Sequence, residues 1–121
     1  MHERVLLIED EPHIVEAISF LLTREGISVS THSNGIDAAE TTARLSPDLV
    51  ILDVMLPGKS GFDILEEIRK NERVADTPVL MLTAKGQSKD RAAAQAAGAS
   101  LFMTKPFSNA EIVANVKSLL E

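Results

Sequence analysis

The chain has 121 residues, 45% of them hydrophobic, and a formal net charge of −6 at pH 7. That length suits one domain spanning 1–121, and the lack of cysteine excludes a disulfide framework and thiolate chemistry. The acidic balance and an aromatic set of four phenylalanines exclude a nucleic-acid footprint or base-stacking platform for this chain alone, and no apolar run or leader pattern suits a membrane span or signal peptide, so a cytoplasmic protein is expected.

Residues 4–9 read as a first buried strand that runs into Glu9-Asp10-Glu11, and Pro12 suits the first turn of a helix. Ile14, Ile18, Leu21 and Leu22 recur on one face of that helix, which Gly26 ends. Residues 27–32 alternate as a more exposed strand, Ser33-Asn34-Gly35 turns, and 36–45 read as a second helix closed by Ser46-Pro47. Asp48 to Leu52 is a β-branched and leucine run with the look of a strand buried on both faces; it stops at Asp53, and Pro57-Gly58 turns the chain. A third helix is predicted over about 61–72, with Phe62, Leu65 and Ile68 inward. Residues 78–83 are another buried strand, 88–97 an alanine-rich helix ended by Gly98, and 101–104 a last strand. After Lys105-Pro106-Phe107, Ser108 or Asn109 caps a final helix with Ile112, Val116, Leu119 and Leu120 at helical spacing.

Five strands alternating with five helices predict an α/β fold: a doubly wound parallel sheet with right-handed crossovers and helices on both faces. In a parallel sheet every C-terminal strand end lies on one edge, where open α/β sheets hold their active crevices. Glu9-Asp10, Asp53, Thr83 and Lys105 all fall at such ends. Singly each has an ordinary reading: Glu9-Asp10 as a helix cap, Asp53 as a turn former, Thr83 as a strand-end hydroxyl, Lys105 as a solvated surface lysine. Their coincidence on one edge favours a site.

Carboxylates gathered within a few ångströms take up protons or share a cation, and oxygen-only ligands suit Mg²⁺. Asp53 then reads as a nucleophile toward a phosphorylated donor, forming an aspartyl-phosphate. Phosphoryl transfer needs cations on the equatorial oxygens; Mg²⁺ and the Lys105 ammonium supply them, and Thr83 donates its hydroxyl. No histidine is expected to act here: His2 and His32 are placed off this rim, and His13 near it at the start of the first helix.

From residue 4 to the end, the chain resembles the receiver domain of two-component response regulators. The likeness is carried by Val5-Leu6-Leu7-Ile8-Glu9-Asp10-Glu11, Leu52-Asp53-Val54-Met55-Leu56-Pro57-Gly58 with Gly61, Leu82-Thr83-Ala84, Gly98-Ala99 and Lys105-Pro106-Phe107. It implies the flavodoxin-like receiver fold with strand order 2-1-3-4-5, and a signalling switch that takes a phosphoryl group on Asp53 from a sensor histidine kinase or phosphotransfer protein. Such a module catalyses its own phosphorylation and dephosphorylation, and relays the signal to a downstream protein or to an output domain missing from this sequence. By resemblance, Asp10 is a direct Mg²⁺ ligand, Glu9 acts through water and the Met55 carbonyl is a further ligand. Lys105, Thr83 and the Ala84 amide hold the phosphoryl group, the Lys105–Pro106 bond is cis, and Phe102 is the switch aromatic. On spacing alone Phe102 reads equally as a core phenylalanine of an edge strand.

Two departures bear on the output. In the DNA-binding branch that dimerises through the last two helices and last strand, an acidic pair usually follows Gly-Ala. Here Ser100-Leu101 stands there, and Asn115 occupies the place of an arginine. The alanine-rich helix with Leu101 and Met103 offers a modest apolar surface or simply packs on the sheet. The rival readings are a Mg²⁺-dependent aspartyl-phosphate phosphatase, which needs a second Asp where Met55 stands, and a receiver-like interaction module that takes no phosphate.

Overall fold

The computed structural model describes residues 3–84 and 88–121. In chain order the elements are β1 (Arg4–Ile8), α1 (Pro12–Arg24), β2 (Ser28–His32), α2 (Ala38–Leu45), β3 (Leu49–Asp53), α3 (Gly61–Lys70), β4 (Val79–Ala84), α4 (Ser88–Ala97), β5 (Leu101–Lys105) and α5 (Asn109–Leu120). All neighbouring strands pair in parallel, in the order β2-β1-β3-β4-β5.

Side-chain alternation along the strands sorts the core into two layers. Val5, Leu7, Leu49, Ile51, Leu80 and Leu82 face α1 and α5, where Ile18, Leu22, Ile112 and Val116 cover them. Leu6, Ile8, Val50, Leu52, Val79 and Met81 face the other way, under Ile64, Leu65 and Ile68 of α3 and Ala38, Ala43 and Ala94 of α2 and α4. β3 is buried along its whole length. This explains its unbroken apolar run, because a central parallel strand has helices on both sides and no wet face.

Element ends follow local chemistry. Pro12 sits at the start of α1, and Gly26, with φ of +80°, lies just past its C-terminus. The Ser108 hydroxyl accepts from the Glu111 N–H, so of the two candidate caps of α5 it is Ser108 that serves. Helix α2 begins at Ala38 rather than 36, because Asn34 and Gly35 hold the preceding turn: Asn34 Oδ1 accepts from the Ile36 N–H at 2.7 Å. Helix α3 ends at Lys70, short of the expected 72, where Asn71 turns extended. Arg69 pins the segments before β4 and β5, donating to the carbonyls of Ala75 at 3.0 Å, Thr77 at 2.7 Å and Gly98 at 3.0 Å.

Leu101 and Met103 pack into the layer under α1 and α5, and Ala94 into the opposite one. These three residues pack on the sheet, whereas Ala92, Ala93 and Ala96 of α4 are exposed. Among the described residues, no helix is long and apolar enough to cross a membrane.

Candidate functional site

Asp53 ends β3 at the C-terminal edge of the sheet and is only 3% exposed. Glu9 stands one residue past β1 and is fully buried. Its backbone N–H donates to the His32 carbonyl at 3.0 Å, and its Oε2 accepts from the N–H groups of Asp10 and Glu11, both at 3.1 Å. One carboxylate oxygen from each of Glu9, Asp10 and Asp53 lies within 4.8 Å of the others. Two strand ends far apart in sequence therefore deliver one acidic cluster.

Burial pushes the Asp53 carboxyl up to about 7, and the Glu9 charge adds to the rise; Lys105 and a hydrogen bond from the Met55 backbone oppose it. Its ordinary value is 3.8. The folded value is above the unfolded one, so protonated Asp53 favours the fold. That contribution is full below about 3.8 and is lost as pH rises through about 7. In chelator-treated protein, urea denaturation should show stability falling across this window more steeply for the wild type than for Asp53→Asn. Parallel pH profiles would contradict the assignment.

Lys105 ends β5 and reaches into the cluster, and the Lys105–Pro106 peptide is cis. Its Nζ lies 2.9 Å from Glu9 Oε1, 3.2 Å from Glu11 Oε1 and 3.4 Å from Asp53 Oδ1. Burial alone would lower the ammonium's pKa, but pairing with Glu9 and the Asp53 charge outweigh it and hold the value above the ordinary one. Thr83 is buried near the end of β4, and Ala84 is the last residue of that strand.

Register places Met81 opposite Phe102 and Thr83 opposite Thr104. Met81 and Phe102 both pack into the α3-side layer, so Thr83 and Phe102 are diagonal neighbours on one face of the sheet. Phe102 is half-buried, and the Arg91 guanidinium carbon sits 5.3 Å from its ring centroid.

Met55 leaves the strand with its side chain turned to solvent, the residue being 74% exposed, so its backbone rather than its thioether is what it can offer the site. The loop carrying it is held close: the Val54 N–H donates to the Leu82 carbonyl, and the Gly61 N–H to the Val54 carbonyl at 2.8 Å. A side chain at Gly61 would collide with the Asp53 carbonyl oxygen and the Val54 Cα, which is why glycine opens α3.

The histidine expectation needs a correction. His32 is the last residue of β2 and lies on the same rim, lining a groove with Glu9 and Asp10. Its Nε2 is taken by Asp37 Oδ1 at 2.7 Å. The strand expected over 27–32 already ended at His32, so applying the same strand-end argument to it would have placed it there. His13 is exposed on α1 and lines a shallow pocket with Glu16, Ala17 and Phe20 instead; His2 lies outside the described residues. Sequence reading also missed the Glu11–Lys105 contact, which spans 94 positions and leaves no local signal.

Glu9 Oε1 is buried and, apart from its ion pair with the Lys105 ammonium at 2.9 Å, has no hydrogen-bond partner. A buried all-oxygen set whose Glu9 oxygen is matched by one ammonium shared with two other carboxylates fits a hard divalent cation. A family model described as "Response regulator receiver domain" matches residues 5–117. The chain belongs to this receiver family. It is 42% identical over 117 residues to the DNA-binding dual master transcriptional regulator RpaA of Synechocystis, covering 97% of this chain and 48% of that protein. The receiver chain thus spans about half the length of that relative. Among solved structures, the chemotaxis response regulator CheY4 of Vibrio cholerae superposes with a TM-score of 0.92 at 27% identity, covering 99% of this chain and all of that one. The receiver domain of the sensor histidine kinase PA1611 of Pseudomonas aeruginosa, with a magnesium ion coordinated in its active-site cleft, gives 0.90 at 29% identity over 99% and 98% of the two chains. Both the fold and its strand order are those the sequence led one to expect.

Proposed function

We propose that this receiver accepts a phosphoryl group on Asp53 from the phosphohistidine of a sensor kinase or phosphotransfer protein in the cytoplasm. One observation carries the reading: a buried carboxylate at the end of the central strand has two more carboxylates within 4.8 Å and an ammonium 3.4 Å away. The Asp53 carboxylate oxygen attacks phosphorus, the bond from phosphorus to the donor nitrogen breaks, and its electron pair leaves with the donor. Hydrolysis of the acyl phosphate returns the carboxylate and inorganic phosphate.

Glu9, Asp10, Asp53 and the Met55 carbonyl would hold Mg²⁺. When bound, that cation supplies positive charge for the phosphoryl oxygens and lets Asp53 ionise below its metal-free pKa. Lys105 pairs with a phosphoryl oxygen, and the Thr83 hydroxyl and Ala84 amide donate to others. A Thr83 hydroxyl drawn to the phosphoryl group vacates space on the face it shares with Phe102, whose ring then turns inward. The changed surface around α4, β5 and α5 is what a downstream protein or attached output domain would read.

Acetyl phosphate, with a carboxylate leaving group in place of imidazole, tests the chemistry without a partner. Incubation with Mg²⁺ should yield hydroxylamine-labile phosphate on the protein, and chelator should prevent it. Turnover of generic phosphate esters would favour the aspartyl-phosphate phosphatase instead.

A further inference from the structure

Lys105 is met by three carboxylates, and they are not equivalent. The Glu9 side chain is fully buried and that of Asp53 is 4% exposed, whereas the Glu11 side chain is 59% exposed. Glu11 occupies the N-cap position of α1, yet its side chain makes no capping hydrogen bond. It accepts a hydrogen bond from Lys105 Nζ at 3.2 Å instead. Its backbone is fixed for this by its N–H bond to Glu9 Oε2 at 3.1 Å. Pro12 comes next, at the first helical position.

An ammonium has three N–H donors. Three carboxylate oxygens already lie within 3.4 Å of Lys105 Nζ, so a phosphoryl oxygen entering that shell competes with them for the ammonium. Glu9 is fully buried, so parting it from the ammonium leaves its charge out of water and dependent on the bound cation alone, which costs more. Glu11 can be released into solvent at little cost. We propose that Glu11 is a positioning residue that holds Lys105 at the mouth of the site in the unphosphorylated state and is exchanged for a phosphoryl oxygen, so that it sets how tightly the site holds the phosphoryl group.

The inference rests on the phospho-acceptor reading above. Beryllofluoride, a phosphoryl mimic, is titrated at saturating Mg²⁺ by calorimetry into wild type, Glu11→Gln and Glu11→Asp. Mg²⁺ affinity is measured separately. Losing a competing, partly exposed partner should tighten beryllofluoride binding by about two- to fivefold in Glu11→Gln. Glu11→Asp keeps the charge but is one methylene short of the ammonium, so it should gain as well. A merely structural role would instead weaken both Mg²⁺ and beryllofluoride binding. Unchanged or weaker beryllofluoride binding in Glu11→Gln overturns the proposal, as does a gain in Glu11→Gln with wild-type behaviour in Glu11→Asp, which is a simple charge effect. If the wild type itself binds no beryllofluoride, the phospho-acceptor reading falls first, and this one with it.

Discussion

Asp53→Asn is expected to take up no hydroxylamine-labile phosphate from acetyl phosphate under conditions that label the wild type. The amide is nearly isosteric with the carboxylate but lacks an anionic oxygen to attack phosphorus, and among the described carboxylates only Glu9 matches its burial and neighbours. Glu9 is the nearest rival, but its Oε2 is taken by two backbone N–H groups and its Oε1 faces Lys105. Loss of labelling would not reflect unfolding. Burial and the Glu9 charge both work against an ionised Asp53, so removing that charge relieves the fold at neutral pH in metal-free buffer. Mass spectrometry of the intact protein and a urea melt of the same sample separate the two effects. Labelling at the wild-type level in the variant would move the acceptor elsewhere.

Leu52→Ala, one residue away, should do the opposite: spare the chemistry and damage the fold. Leu52 is fully buried, packed in its layer of the core with Ile8, Val50, Ile64 and Leu65 among others. β3 is the middle strand, paired with β1 on one side and β4 on the other, so the surroundings cannot collapse freely into the space left behind. Truncation there costs about 2–5 kcal/mol, a large part of the roughly 5–15 kcal/mol that holds a domain folded. Chemical denaturation should show the loss at an unchanged slope, while the fraction still folded binds Mg²⁺ as before. A loss below about 1 kcal/mol would mean that β3 is less tightly enclosed than its burial implies.

The adjacent pair shows how the two kinds of information divide. Leu49 through Leu52 are apolar without a break, so the strand and its two-sided burial were legible from residue order alone. The same holds for the helical spacing of Ile18 with Leu22 and of Ile112 with Val116, and for the sharp punctuation by Pro12, Gly26 and Ser46-Pro47. Parallel pairing then put Asp53, Thr83, Lys105 and the acids after β1 on one edge. Boundaries were less legible where a turn competes with a helix, as at Gly35 to Asp37, or where a helix ends without glycine, as at Asn71.

Residue order determined the periodicities, hence the elements, the alternating architecture and the edge on which the polar strand-end groups gather. Only the tertiary structure decided which carboxylates Lys105 touches, that His32 shares the rim while bound to Asp37, and that Arg91 lies over Phe102. The reason is physical. Periodicity records which face of an element meets oil or water, a property each segment carries by itself. A hydrogen bond or ion pair depends on the last few ångströms between side chains that folding brings together from distant positions, and no local pattern encodes that distance.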